Sequence, residues 1–143
     1  MQIYNIMLLI HLFCAIIFIG FLFADIFVIK ALDSKYENAQ EIKKPIYNKA
    51  VKIYPFSVLL LILSGGYMFS KYINSSLGYV ETNLQILLLV KFFLVLIIAL
   101  GILYSLSCKI RKKEPFKIMK HFHLFAFCLT IIITILAKIM FWV

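Results

Sequence analysis

Residues 86–103 read ILLLVKFFLVLIIALGIL, an apolar run broken by one charged side chain, Lys91. A run of this length with a single charge is long enough, as a helix, to cross a bilayer core, which needs about 20 residues. Working outward, the run extends from Asn83 to Cys108. Similar stretches lie at Tyr4–Ile29, at 53–72 with its apolar core from Ile53 to Met68, and at 121–142. The chain of 143 residues is 64% apolar, well above the roughly half-apolar make-up of soluble domains. These features predict an all-α integral membrane protein, a four-helix bundle forming a single domain over residues 1–143.

The second span carries Pro55 near its start, where a missing N–H does least harm, and Gly65-Gly66 near its end, where helices approach closely or break. Ser70 and Tyr72 mark its exit. The first apolar run is too long for a cleaved leader and has neither a basic leading segment nor a small-residue cleavage site, so it is expected to stay as a helix.

The net charge of +9 is concentrated in two segments. Lys35, Lys43, Lys44, Lys49 and Lys52 follow the first span, just after Lys30. Lys109, Arg111, Lys112, Lys113, Lys117 and Lys120 follow the third. Basic short loops stay on the cytoplasmic side, which puts both termini outside, as for a multi-pass protein of a bacterial inner membrane. Tyr4, Tyr67, Tyr72, Tyr79 and Trp142 then fall near the outer interface. With the spans removed, no compact basic face remains for nucleic acid, and anionic lipid headgroups are the expected partner. The first loop reads as a solvated connector in preference to an interfacial amphipathic stretch.

Ionisable side chains inside spans are costly and mark candidate sites. His11 lies in the first span and Lys91 in the third. Both sit on the order of 10 Å below the outer surface at the helical rise per residue. Matching depth lets them converge on one interior site. Asp25 is near the inner end of the first span and is expected to pair with a loop lysine. Lys138 is one turn from the carboxyl end and snorkels to the headgroups. His121 and His123 differ by about 200° around a helix, so only one of them can face inward, His123 being the better candidate, with Thr130 and Thr134 on nearly the same face; the two are either interfacial residues or a second, inner site.

Met7, His11 and Cys14 lie on one face of the first helix, and a thioether, imidazole and thiol together could hold Cu(I). Haem needs less: one neutral imidazole and an apolar interior, to which Phe13 and Phe18, or Phe92 and Phe93, could contribute. Cys14, Cys108 and Cys128 have no metal-type spacing, and no disulfide is expected. No hydrolytic triad or metal-protease motif is present.

Two stretches carry a family resemblance. Residues 8–28, LLIHLFCAIIFIGFLFADIFV, resemble the opening helix of HemJ-type protoporphyrinogen oxidases and the related CopD-like copper-resistance membrane proteins, the matching histidine being His11. Residues 87–113, LLLVKFFLVLIIALGILYSLSCKIRKK, resemble the lysine-bearing helix of that family, the match being Lys91. The resemblance implies haem b bound through His11 as axial ligand to the iron, with Lys91 essential to the same site as ligand, catalytic group or cationic partner. It further implies a porphyrin substrate and a quinone or respiratory electron acceptor; a homodimer is also compatible. The chain departs from the oxidase pattern where Ala24-Asp25 stands in place of Pro-Arg. A second departure is Lys120-His121-Phe122-His123 in place of Asn-Glu-x-Pro. The alternatives are a copper-handling protein using Met7, His11 and Cys14, and a non-catalytic membrane subunit.

Overall fold

The computed structural model describes residues 2–111, 121–140 and 142. Within them lie four helices long and apolar enough to cross a membrane. Large apolar side chains such as Phe13, Ile16, Phe56, Phe93 and Leu103 are exposed along these helices, a surface suited to lipid and not to water. The lysines at 112, 113, 117 and 120, on which the expected third-loop charge rests, lie outside the described residues, as does most of that loop.

The chain forms two compact units, Met1–Lys71 and Tyr72–Val143. In the first, α1 (Gln2–Phe23) passes into a π-helical turn at Ala24–Ile29 and a 3-10 turn at Lys30–Ser34, and α2 (Ala39–Ser70) returns against it. The buried positions of this first limb, Cys14, Phe18, Leu22, Asp25 and Ile29, recur every three or four residues and so form one stripe. Facing it, α2 offers Lys43, Tyr47, Tyr54, Ser57 and Ser64. Cross-contacts fix an antiparallel register. Ser57 Oγ donates to the Cys14 carbonyl (3.3 Å), the Tyr54 and Phe18 rings stack at 5.0 Å, and the Tyr47 hydroxyl donates to Asp25 (2.5 Å). Serines and glycine at this seam keep the backbones close, as small residues do between membrane helices.

The second helix differs from the sequence reading. It starts at Ala39 and not near Ile53, so much of the expected connector is helix with Pro45 and Pro55 both in its interior. Each proline removes one backbone hydrogen bond. The Ala39, Lys43, Tyr47 spacing supplies a packed face across the first proline, and Lys43, only 7% exposed, pairs with Asp33 of the 3-10 turn at 2.5 Å. Helix α2 also runs unbroken through Gly65-Gly66.

In the second unit, α3 (Asn83–Ile110) packs on α4 (Phe122–Ile139). A capping box starts α3: the Gln85 N–H donates to Thr82 Oγ1 (3.3 Å), and Gln85 Oε1 accepts from the backbone N–H of Glu81 (2.8 Å) and Thr82 (3.2 Å). The Gln85 amide, 4% exposed, also donates to the carbonyls of Tyr72, Leu77 and Gly78. One side chain thus organises the whole 72–82 segment, whose turn is completed by Asn74 Oδ1 accepting from Ser76 and Leu77 N–H and by Gly78 at φ 79°. Leu88 and Ile98 of α3 and Ala126, Leu129 and Thr130 of α4 form the buried faces. The Phe122 ring lies where a Cβ on Gly101 would fall.

Candidate functional site

His11 sits in α1 with its ring turned to α2. Its Nδ1 lies 3.1 Å from the Leu61 carbonyl and 3.0 Å from Ser64 Oγ. A carbonyl only accepts, so Nδ1 carries a proton and donates to Leu61. Ser64, 2% exposed, donates its own proton to the Leu60 carbonyl at 2.6 Å, which leaves its oxygen lone pairs to accept from the imidazole. Gly65 makes this approach possible: a Cβ there would lie 3.0 Å from His11 Cε1 and 3.4 Å from Nδ1. Leu61, Ser64 and Gly65, little more than one turn of α2, thus hold the imidazole in place.

Met7 and Cys14 share the seam-facing side of α1 with His11; Cys14 is buried and Met7 half-buried. Among the described residues no group of three or more His, Cys, Asp and Glu side chains is placed to hold a metal ion. Of the aromatic side chains suggested for a ring pocket, Phe18 lies on the seam against Tyr54, while Phe13, Phe92 and Phe93 are exposed.

Lys91 belongs to the other compact unit. It is half-buried on α3, on the stripe that includes Leu88 and Ile98, and its ammonium has no hydrogen-bond or ion-pair partner among the described residues. His121 is exposed and His123 half-buried, and the Thr130 and Thr134 hydroxyls donate to the carbonyls of Phe127 (2.7 Å) and Thr130 (2.8 Å), one turn back. Lys138, exposed in the last turn of α4, lies 5.7 Å from the Trp142 ring centroid. Cys14, Cys108 and Cys128 are thiols.

Asp25 is the residue whose surroundings the sequence reading missed. It is 1% exposed and accepts a hydrogen bond from the Tyr47 hydroxyl, while Lys43 binds Asp33. The recurrence of Lys43, Tyr47, Tyr54, Ser57, Ser64 at steps of four, seven and three residues was the available signal. Comparison of the chain with protein-family models, with curated proteins and with solved structures finds no match.

Proposed function

We propose that the chain is a haem b-binding oxidoreductase of the bacterial inner membrane, with both termini outside, and most concretely an oxidase of protoporphyrinogen IX passing electrons to a quinone or respiratory partner. The observation that carries this reading is the hydrogen-bonded state of His11. Ring nitrogens that ligate a metal characteristically have the opposite nitrogen donating to a carbonyl or carboxylate, which fixes the tautomer and raises the ligand's basicity. His11 has that arrangement through Leu61 and Ser64, on an apolar helix pair. A single imidazole suffices for haem, so the lack of a multi-residue metal cluster among the described residues is compatible with it.

When bound, haem supplies the one-electron redox centre. The chain's own residues then bind and orient. His11 would hold the group through its imidazole, with Leu61 and Ser64 fixing the ring and Gly65 leaving it room. Lys91 would supply a positive charge for a propionate or a substrate carboxylate, or a ligating amine when neutral. The copper reading keeps one supporting observation, the common face of Met7, His11 and Cys14.

The test is the visible spectrum of purified protein from haem-sufficient cells. Wild type shows a Soret band, His11→Ala loses it while keeping its helical content, and Lys91→Met keeps haem with weaker binding or a shifted band. Wild-type protein without haem would end this reading. Copper in its place, lost in Met7→Leu and Cys14→Ser, would establish the alternative.

A further inference from the structure

Helix α2 is longer than a bilayer requires. Its 32 residues extend about 48 Å at the usual rise per residue, against about 30 Å of hydrocarbon. The surplus lies at its amino-terminal end, residues 39–52, where the sequence is rich in lysine. That end is fastened to the first limb by the Lys43–Asp33 ion pair and the Tyr47–Asp25 hydrogen bond. The contacts Phe18–Tyr54 and Asp25–Tyr47 fix levels along the two helices as well as faces. Between these contacts, the antiparallel register sets Lys52 level with Gly20 and Lys49 level with Phe23. The first limb is still apolar there: it carries no charge between His11 and Asp25, and Phe23, Phe27 and Val28 are exposed.

Lys49 and Lys52 therefore leave the helix pair at a depth where its other limb still offers apolar surface. Both are exposed, and neither has an ion-pair partner among the described residues or an acidic residue within one turn along α2. An ammonium at the edge of hydrocarbon is costly unless an anion meets it. Their neighbours three and four residues away on the helix surface include Ile46, Ile53 and Phe56, all exposed. Two cations are thus framed by three apolar side chains. The other lysines of α2 are placed differently: Lys43 is bound to Asp33, and Lys44 has Glu41 three residues before it.

We propose that Lys49 and Lys52 form a binding site for one anionic phospholipid, whose phosphate the two ammonium groups hold while its acyl chains lie along Ile53 and Phe56. The patch matches both parts of such a molecule. A soluble anion would leave the apolar frame uncovered, and a zwitterionic lipid brings its own cation to compete for the phosphate. Two particular lysines carry the site, which distinguishes it from the diffuse attraction of any basic segment to anionic headgroups. It is independent of the haem reading and of which side of the membrane the lysine-rich end faces.

Native mass spectrometry of the full chain, purified in detergent and titrated with phosphatidylglycerol or with phosphatidylcholine of the same acyl chains, counts the lipids bound to each molecule. The first phosphatidylglycerol should bind about thirtyfold more tightly than phosphatidylcholine, at about fivefold per lysine. Lys49→Gln with Lys52→Gln should abolish the preference, and Lys49→Arg with Lys52→Arg should keep it. Lys35→Gln with Lys44→Gln removes the same charge from the same segment and should leave the preference intact. Circular dichroism checks that each variant keeps its helical content; if the Lys49 and Lys52 pair does not fold as glutamines, each single glutamine variant decides by its fivefold loss. Equal binding of the two lipids to the wild type would overturn the proposal, as would a preference that survives loss of both lysines or is lost in the arginine pair. An equal loss in the Lys35 and Lys44 control would overturn it in favour of diffuse attraction. Displacement of the lipid by inorganic phosphate would do so in favour of a site for a soluble anion.

Discussion

Gly65 and Gly66 are neighbours in one helix, yet alanine should act on them in opposite directions. At Gly66 a Cβ meets nothing within 4 Å, so Gly66→Ala gains the helix preference of alanine over glycine, about 1 kcal/mol. At Gly65 the same gain is set against a Cβ placed 3.0 Å from His11 Cε1. Relief requires the imidazole to retreat by a few tenths of an ångström, and the ring is tied on that side by its Nδ1 bonds to Leu61 and Ser64. Weakening both costs roughly 1–3 kcal/mol at about 0.5–1.5 kcal/mol per bond. Gly65→Ala should therefore be neutral to destabilising and fall about 1–3 kcal/mol below Gly66→Ala. Unfolding of the two variants in the same detergent micelles measures the difference. A His11→Ala background adds a control: with the ring gone, Gly65→Ala should stabilise as Gly66→Ala does, the coupling expected of residues in contact. Equal stabilisation by both alanines in the wild-type background would mean that His11 does not press on Gly65.

Two further outcomes follow from features elsewhere in the chain. Gln85→Leu strands the N–H groups and carbonyls its amide joins, which should cost about 2–4 kcal/mol and expose residues 72–82 to protease; unchanged protection of that segment would show that its order has another source. Reporter fusions at Lys44 and Lys113 should read cytoplasmic and one at Ser76 outside, and the reverse pattern would invert every depth assignment made for His11 and Lys91.

The third helix was legible because everything that sets it is local. Its apolar run is continuous, and Thr82 with Gln85 spells a start signal within four residues, so the expected 83–108 is close to the observed Asn83–Ile110. The second was not, because the lysine-rich residues before Ile53 read as a solvated connector, and the face that makes them helix exists only against α1 and the 3-10 turn. The same distinction separates His11 from its surroundings. An imidazole in a span announces itself, but Ser64 and Gly65 acquire meaning only through an antiparallel register, which no local pattern encodes. Asp25 was read from its position near a helix end, and no local pattern showed that the seam would bury it beside the Tyr47 phenol.

The wide turn at Ala24–Ile29 also sets the rotational phase between the two halves of the first limb. Each residue of an α-helix advances the chain by about 100° around its axis, so a turn closed over five residues delays the following segment relative to an unbroken α-helix. Ile29 and the 3-10 turn carrying Asp33 take their azimuth from that delay, and Lys43 finds Asp33 at the end of it. A chain one residue shorter here could still build a continuous helix through the bilayer. It would, however, leave the return helix aimed at a different side of the first, and the seam that holds His11 and Asp25 would have to be made from other faces.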